Sequence, residues 1–118
     1  LTFKAELLQS KCFKSIQNTL STFAVKCDTI GSTTQILFRP RRTHDEMRVS
    51  GGRKTLKKLM IDRKIPLDRR SLLPVAADEH GILGVYGIGV NLDRAAAPGD
   101  RAVIIRIEEL EKEDSLYD

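Results

Sequence analysis

The spacing of apolar residues switches along this chain between a period of two and a period of about 3.6, and the switches mark out its elements. Thr2-Phe3-Lys4-Ala5-Glu6-Leu7 alternates polar and apolar residues, as a strand with one buried face does. Ser10 to Ser21 has no clear period and predicts a connecting loop. Thr22 to Ile30 alternates again, with Phe23, Val25 and Cys27 on one face. Gly31-Ser32 signals a turn, and Thr34 to Arg39 predicts a third strand ended by Pro40, which has no N–H to give a ladder. Thr43 to Gly52 is polar and predicts a loop whose two final glycines can adopt positive φ.

The helical period then takes over. Thr55 is a good N-cap for a helix from Leu56 to about Lys64, with Leu56, Leu59 and Met60 within an arc of about 100°. Lys57 and Lys64 fall to one side and Lys58 with Asp62 to the other, while Ile61 lies off the apolar stripe and predicts neighbours on both sides. Pro66 suits the first turn of a second short helix through Leu72. Pro74 to Ala77 and Ile82 to Val90 predict strands joined at Asp78-Glu79-His80-Gly81, with Gly84, Gly87 and Gly89 marking a bulge or close backbone approach. Ala95 to Asp100 predicts a loop, Ala102 to Ile107 a last strand, and the acid-rich stretch from Glu108 a frayed terminus. The expected fold is α+β: mostly antiparallel strands with two short central helices.

At 118 residues the chain is expected to be one domain over 1–110 with an acidic tail over 111–118. A chain of this size buries roughly two thirds of its unfolded surface and needs no staples. Cys12 and Cys27 match no metal spacing and make no disulfide framework. No apolar run reaches the ~20 residues of a membrane span and no signal peptide is visible, so a reduced, cytoplasmic location is expected. The chain opens on Leu1 rather than Met and is expected to be part of a longer polypeptide.

Charge changes the picture most. Of the 20 Lys and Arg residues, 12 stand between Arg39 and Arg70 against only four acids, whereas the other eight face 12 acids. Segregated positive charge is what a polyphosphate surface selects. The cluster draws on a strand end (Arg39, Arg41, Arg42), a glycine loop (Arg48, Arg53, Lys54) and two helices (Lys57, Lys58, Arg63, Lys64, Arg69, Arg70), with few acids at helical i,i+4 spacing. No Phe, Tyr or Trp lies between Arg39 and Arg70, so base stacking is not expected and a duplex backbone fits better.

Other chemistries find less support. Ser50-Gly51-Gly52-Arg53-Lys54-Thr55 lacks the Gly that precedes Lys in a Walker loop, and also the Asp-Ser ending of a pyrophosphatase-type loop. Its glycines, Arg, Lys and the following helix start are expected to hold at most one phosphate of something larger. Cysteine with His44 or His80 has no nucleophile–base spacing, and Asp45-Glu46 and Asp78-Glu79 suit turns better than acid–base pairs. A basic-faced protein-interaction or self-association module, without a nucleic-acid role, is the alternative reading.

The run Arg39-Pro40-Arg41-Arg42-Thr43-His44-Asp45-Glu46-Met47-Arg48, followed by Gly51-Gly52-Arg53-Lys54-Thr55-Leu56-Lys57-Lys58-Leu59-Met60-Ile61-Asp62-Arg63-Lys64-Ile65-Pro66, resembles the C-terminal domain of the tRNA(Ile)-lysidine synthase family. Arg69-Arg70-Ser71-Leu72-Leu73-Pro74-Val75 and Gly81-Ile82-Leu83-Gly84-Val85-Tyr86-Gly87-Ile88 look like its continuation. The resemblance implies a bacterial ligase that uses ATP to join lysine to the wobble cytidine of an isoleucine tRNA. It also implies a fold similar to a domain of the phenylalanyl-tRNA synthetase beta chain. Catalysis, ATP and magnesium are then expected in a separate upstream domain of the same polypeptide, and no cofactor in this one. The implied partner is the acceptor stem of tRNA(Ile), with a second copy of the chain as a further candidate. The implied RNA-binding residues are Arg41, Arg42, Arg48, Arg53, Lys54, Lys57, Lys58, Arg63 and Lys64. The family often carries Gly in place of His44 and a bulky aromatic near Gly84.

Overall fold

The computed structural model describes residues 2–12, 18–26 and 35–110. Among them are nine strands and two short helices, every strand pair antiparallel: β1 (Thr2–Cys12), β2 (Thr22–Lys26), β3 (Leu37–Arg39), β4 (Glu46–Val49), β5 (Gly52–Thr55), α1 (Leu56–Asp62), α2 (Leu67–Arg70), β6 (Val75–Asp78), β7 (Gly81–Val85), β8 (Gly89–Val90) and β9 (Arg101–Leu110). The expected α+β class is what forms. The strands make a three-stranded sheet in the order β1-β9-β2, a four-stranded sheet in the order β3-β6-β7-β8, and the hairpin β4-β5.

The four-stranded sheet is the middle of three layers. Phe23, Val25, Ile105 and Ile107 of the first sheet pack against Ala76 and Leu83 on one of its faces. Val75, Ala77, Ile82 and Val85 on the other face pack against Met47 of the hairpin and Leu56, Leu59 and Met60 of α1. Burial on both faces explains why β6 and β7 are runs of apolar residues without clean alternation.

A bulge makes this two-sided burial work. Ala76 opposes Gly84 and Ala77 opposes Ile82, so Leu83 is an extra residue in β7. Leu83 and Gly84 consequently both face the first sheet, while Ile82 and Val85, three residues apart, share the helix face. Gly84 has no room for a side chain: a Cβ there would stand 2.7 Å from the Phe23 ring, which is fully buried.

Several boundaries differ from the sequence expectation. β1 runs on through Ser10 to Cys12, because β9 pairs with it on both sides of a register shift between Leu8 and Lys11. β9 in turn continues through Glu108 to Leu110, held by Thr2, Phe3 and Lys4, so these residues are not a frayed end. The loop expected over Thr43 to Gly52 contains β4 and the start of β5. The strand expected over Ile82 to Val90 breaks at Gly87, whose φ of 88° turns β8 back onto β7. α1 stops at Asp62 and α2 is one turn, with Pro66 at its N-cap instead of inside it. Ile61 is 43% exposed and has no second neighbouring face. Cys27 to Ile30, the Gly31-Ser32 turn, Thr34 and the acidic tail over 111–118 lie outside the described residues.

The Phe23–Gly84 contact yields a direct test. Gly84→Ala is expected to cost about 1–3 kcal/mol, because the buried ring cannot swing aside. Phe23→Leu in the same chain should recover part of that loss, giving a coupling energy above about 0.5 kcal/mol in a double-mutant cycle by urea unfolding. Strict additivity would mean that the ring does not press on this backbone.

Candidate nucleic-acid interface

The hairpin and α1 cover the middle sheet with their apolar sides and turn their charged sides out. Ser50-Gly51 forms the hairpin turn, with Gly51 and Gly52 at φ 97° and 125°. Met47 points inward, fully buried, which leaves Arg48 and Arg53 directly opposed on the other face. Like charges opposed across a ladder repel. Here a carboxylate from a distant loop answers both: Asp93 Oδ1 lies 3.5 Å from Arg48 Nη1, and Asp93 Oδ2 accepts from Arg53 Nη2. Glu46 adds a looser contact to Arg53 at 3.8 Å.

Asn91 fixes the position of that carboxylate. It is buried, its Nδ2 donates to Ile82 O at 2.8 Å, and its Oδ1 accepts from Asp93 N at 3.0 Å and Arg48 N at 3.1 Å. Leu92 N donates to Arg48 O at 2.9 Å, so both backbone groups of Arg48 are tied to this loop. The next residue, Arg94, forms a buried ion pair with Asp78. Neither Asn91 nor Asp93 stood out in the sequence. The Asn91–Asp93 hydrogen bond is a local Asx turn that the residue types permit, but its partner Arg48 is 43 residues away.

α1 is bounded by two caps. Thr55 Oγ1 accepts from Lys58 N at 3.1 Å at its start. At its end Ile65 N donates to Met60 O at 3.0 Å and Lys64 N to Ile61 O at 2.9 Å. This is a Schellman closure, and it places Lys64 at the left-handed position with φ 55°, where glycine is the usual residue. Lys64 is the one non-glycine residue at positive φ among the described residues. Lys58 and Lys54 converge on Asp62 at 3.2 and 3.4 Å, and Lys58 with the charge of Lys54 holds its carboxyl below the usual range.

The expected basic cluster divides into three groups. Arg39, Arg69 and Arg70 serve the fold: Arg39 forms a two-pronged pair with Asp45 at 2.7 and 3.0 Å, Arg69 reaches Glu109 at 2.9 Å, and Arg70 Nε donates to Ile65 O at 2.9 Å. Arg48, Arg53, Lys54 and Lys58 are bridged in pairs by Asp93 and Asp62. Arg41, Lys57, Arg63 and Lys64 have no carboxylate partner among the described residues, and the Arg42 side chain forms no ion pair within 4 Å, its charge acting on Asp45 from farther off. Arg41 Nε is buried with no hydrogen-bond partner. The Arg41–Arg42 loop is tied to the start of α1 through Asp45, whose Oδ2 accepts from Arg42 N and whose carbonyl accepts from Leu56 N at 2.9 Å.

One expectation does not hold. Glycines and helix start were expected to form one phosphate cradle, but Gly52 to Thr55 is strand β5, which separates the turn from the helix by about 13 Å.

The family model that describes the TilS substrate C-terminal domain matches residues 36–108. Over 58 residues the chain is 40% identical to the tRNA(Ile)-lysidine synthase of Clostridioides difficile (strain 630), a stretch that makes up 48% of this chain and 13% of that protein. The chain is also similar to the crystal structure of a TILS C-terminal domain, with a TM-score of 0.68 and 25% identity over 93% of this chain and 85% of that one. The chain therefore spans a small part of the length of the curated relative it matches.

The two shielded acids set an acid limit on this architecture. Burial alone would raise the Asp78 pKa, but the hydrogen bonds from Arg94 and His80 N and the charges of Arg94 and His80 outweigh it and hold it below the usual carboxylate range. Asp45 is likewise lowered, against burial, by Arg39 and Arg42. A folded-state pKa below the unfolded one gives stability that is complete above the unfolded value and lost as pH falls through the folded one. Asp78→Asn should therefore cost on the order of 3 kcal/mol near neutrality by removing the charged partner of a buried guanidinium, with the gap to the unmodified protein closing below about pH 4. A gap in urea midpoint that stays constant down to about pH 2.5 would contradict the assignment.

Proposed function

The chain belongs to the TilS substrate C-terminal domain family, and from that premise we propose that it is a non-catalytic domain that grips the acceptor stem of an isoleucine tRNA. On this reading it serves a tRNA(Ile)-lysidine synthase whose catalytic domain, with its ATP and magnesium, lies elsewhere in the same polypeptide. Holding one end of the folded RNA would let the wobble cytidine reach that distant active site. Phosphate contacts position an RNA and carry little sequence information, so selection of the cytidine belongs to the catalytic domain.

Lys64 carries the reading. A lysine in the left-handed region costs about 1–2 kcal/mol that glycine would avoid. The closure of α1 needs only the backbone there, so the strain of a non-glycine residue finds no explanation in the helix cap and points to the cation. Like Lys57, Arg63 and Arg41, it is exposed or half-exposed positive charge with no ion-pair partner among the described residues, and Arg42 meets only the Asp45 carboxylate that Arg39 already pairs. Solvated helices of ordinary surfaces favour compensating acids at i,i+4, and among the described residues only Lys58–Asp62 forms an ion pair at that spacing. The absence of Phe, Tyr and Trp between Arg39 and Arg70 favours a helical backbone over stacked single-stranded bases.

Two measurements check this. Binding of the chain to tRNA should weaken with salt at a log–log slope of about −2 to −5, as some three to six phosphate contacts require, and Lys57→Glu with Arg63→Glu should make it shallower by about two. A slope near zero would refute the reading. Lys64→Gly should raise thermal stability by about 1 kcal/mol while lowering tRNA affinity, a trade-off that a purely structural lysine would not show.

A further inference from the structure

Building on the RNA-binding reading, we propose that Asp93 is a specificity-determining counter-charge: it occupies the place of a phosphate between Arg48 and Arg53 and is displaced when an RNA phosphate takes that arginine pair. The geometry points this way in three respects. The two arginines face each other in hairpin register, and the group that bridges them among the described residues is a carboxylate from outside the hairpin. That carboxylate is held from behind by the Asn91 turn, so it waits at the arginines without depending on them for its place. The pair is also open: Arg48 and Arg53 side chains are 62% and 51% exposed, and a groove of about 420 Å³ lined by Arg53, Asp93, His44, His80 and Glu46 opens beside them.

Each guanidinium carries five N–H donors, and the contacts to Asp93 and Glu46 leave most of them unused. A carboxylate between two exposed arginines makes a weak surface bridge, and an RNA phosphodiester, with the same single charge on two free oxygens, can take over that bridge when its neighbouring phosphates are held as well. Asp93 therefore keeps the pair aligned while lowering its attraction for any single anion. Only a ligand that engages the neighbouring unpaired cations at the same time overcomes this competition. Asp62 stands in the same relation to Lys54 and Lys58, with a lysine pair in place of the forked arginine pair.

The test compares unmodified protein, Asp93→Asn and, as a control for charge alone, Glu108→Gln on β9, each titrated with tRNA(Ile) transcript and with heparin across a salt series. Asp93→Asn is expected to bind tRNA about three- to tenfold more tightly, with a slope steeper by about one, and heparin more tightly by a larger factor. Glu108→Gln should stay within about twofold of the unmodified protein. Weaker or unchanged tRNA binding by Asp93→Asn, at unaltered melting temperature, would overturn the proposal while leaving the RNA-binding reading intact. Weaker binding together with a lower melting temperature would make Asp93 a structural residue and equally overturn it. Salt-insensitive or absent tRNA binding by the unmodified protein would remove both.

Discussion

A sheet of four short strands with two apolar faces must be covered twice, and this requirement organises the rest of the chain. One cover is the β1-β9-β2 sheet, pressed so closely that Phe23 leaves Gly84 no space for a Cβ. The other is assembled from the β4-β5 hairpin and α1, which contribute Met47, Leu56, Leu59 and Met60. The bulge at Leu83 lets both covers find apolar side chains in a single strand. Because the second cover is thin, its outward side is never far from solvent, and that outward side carries the basic residues.

The same thinness links packing to electrostatics. A hairpin of four-residue strands has little grip of its own, and the Asn91 turn fastens it through both backbone groups of Arg48. The residue that follows this fastening by two positions is Asp93, which then meets the side chains of Arg48 and Arg53. Structural anchor and counter-charge are therefore adjacent in sequence, and a change in the turn would be felt as a change in surface potential. Exposed pairs of this kind contribute little to stability, so their arrangement is better explained by what the surface binds.

How much of this was legible in the sequence follows from the range of each interaction. The α1 stripe, its Thr55 cap and the turn at Asp78 to Gly81 depend on neighbours within a few residues and could be read directly. The β4-β5 hairpin could not, because Glu46, Arg48, Arg53 and Thr55 on its outer face mask a strand whose inner side holds only Met47 and Val49 as apolar residues. The basic cluster was legible as a count but not as a surface. Arg39, Arg69 and Arg70 find internal partners, and the partner of Arg69 is Glu109, 40 residues on, in a stretch whose composition alone suggested fraying. The left-handed Lys64 was invisible for a different reason, since a lysine gives no sign of the φ it will adopt.

The central claim is that the outward side of the hairpin, α1 and the Arg41–Arg42 loop receives the RNA backbone. Amide and guanidinium resonances followed by NMR during titration of the isotope-labelled chain with tRNA test it most directly. The account predicts perturbations concentrated at Arg41, Arg42, Arg48, Arg53, Lys57 and Lys64, with β1 and β9 nearly silent. Perturbations centred on β1, β3 or the apolar slot between Phe3 and Phe38, with the basic hairpin unmoved, would contradict it.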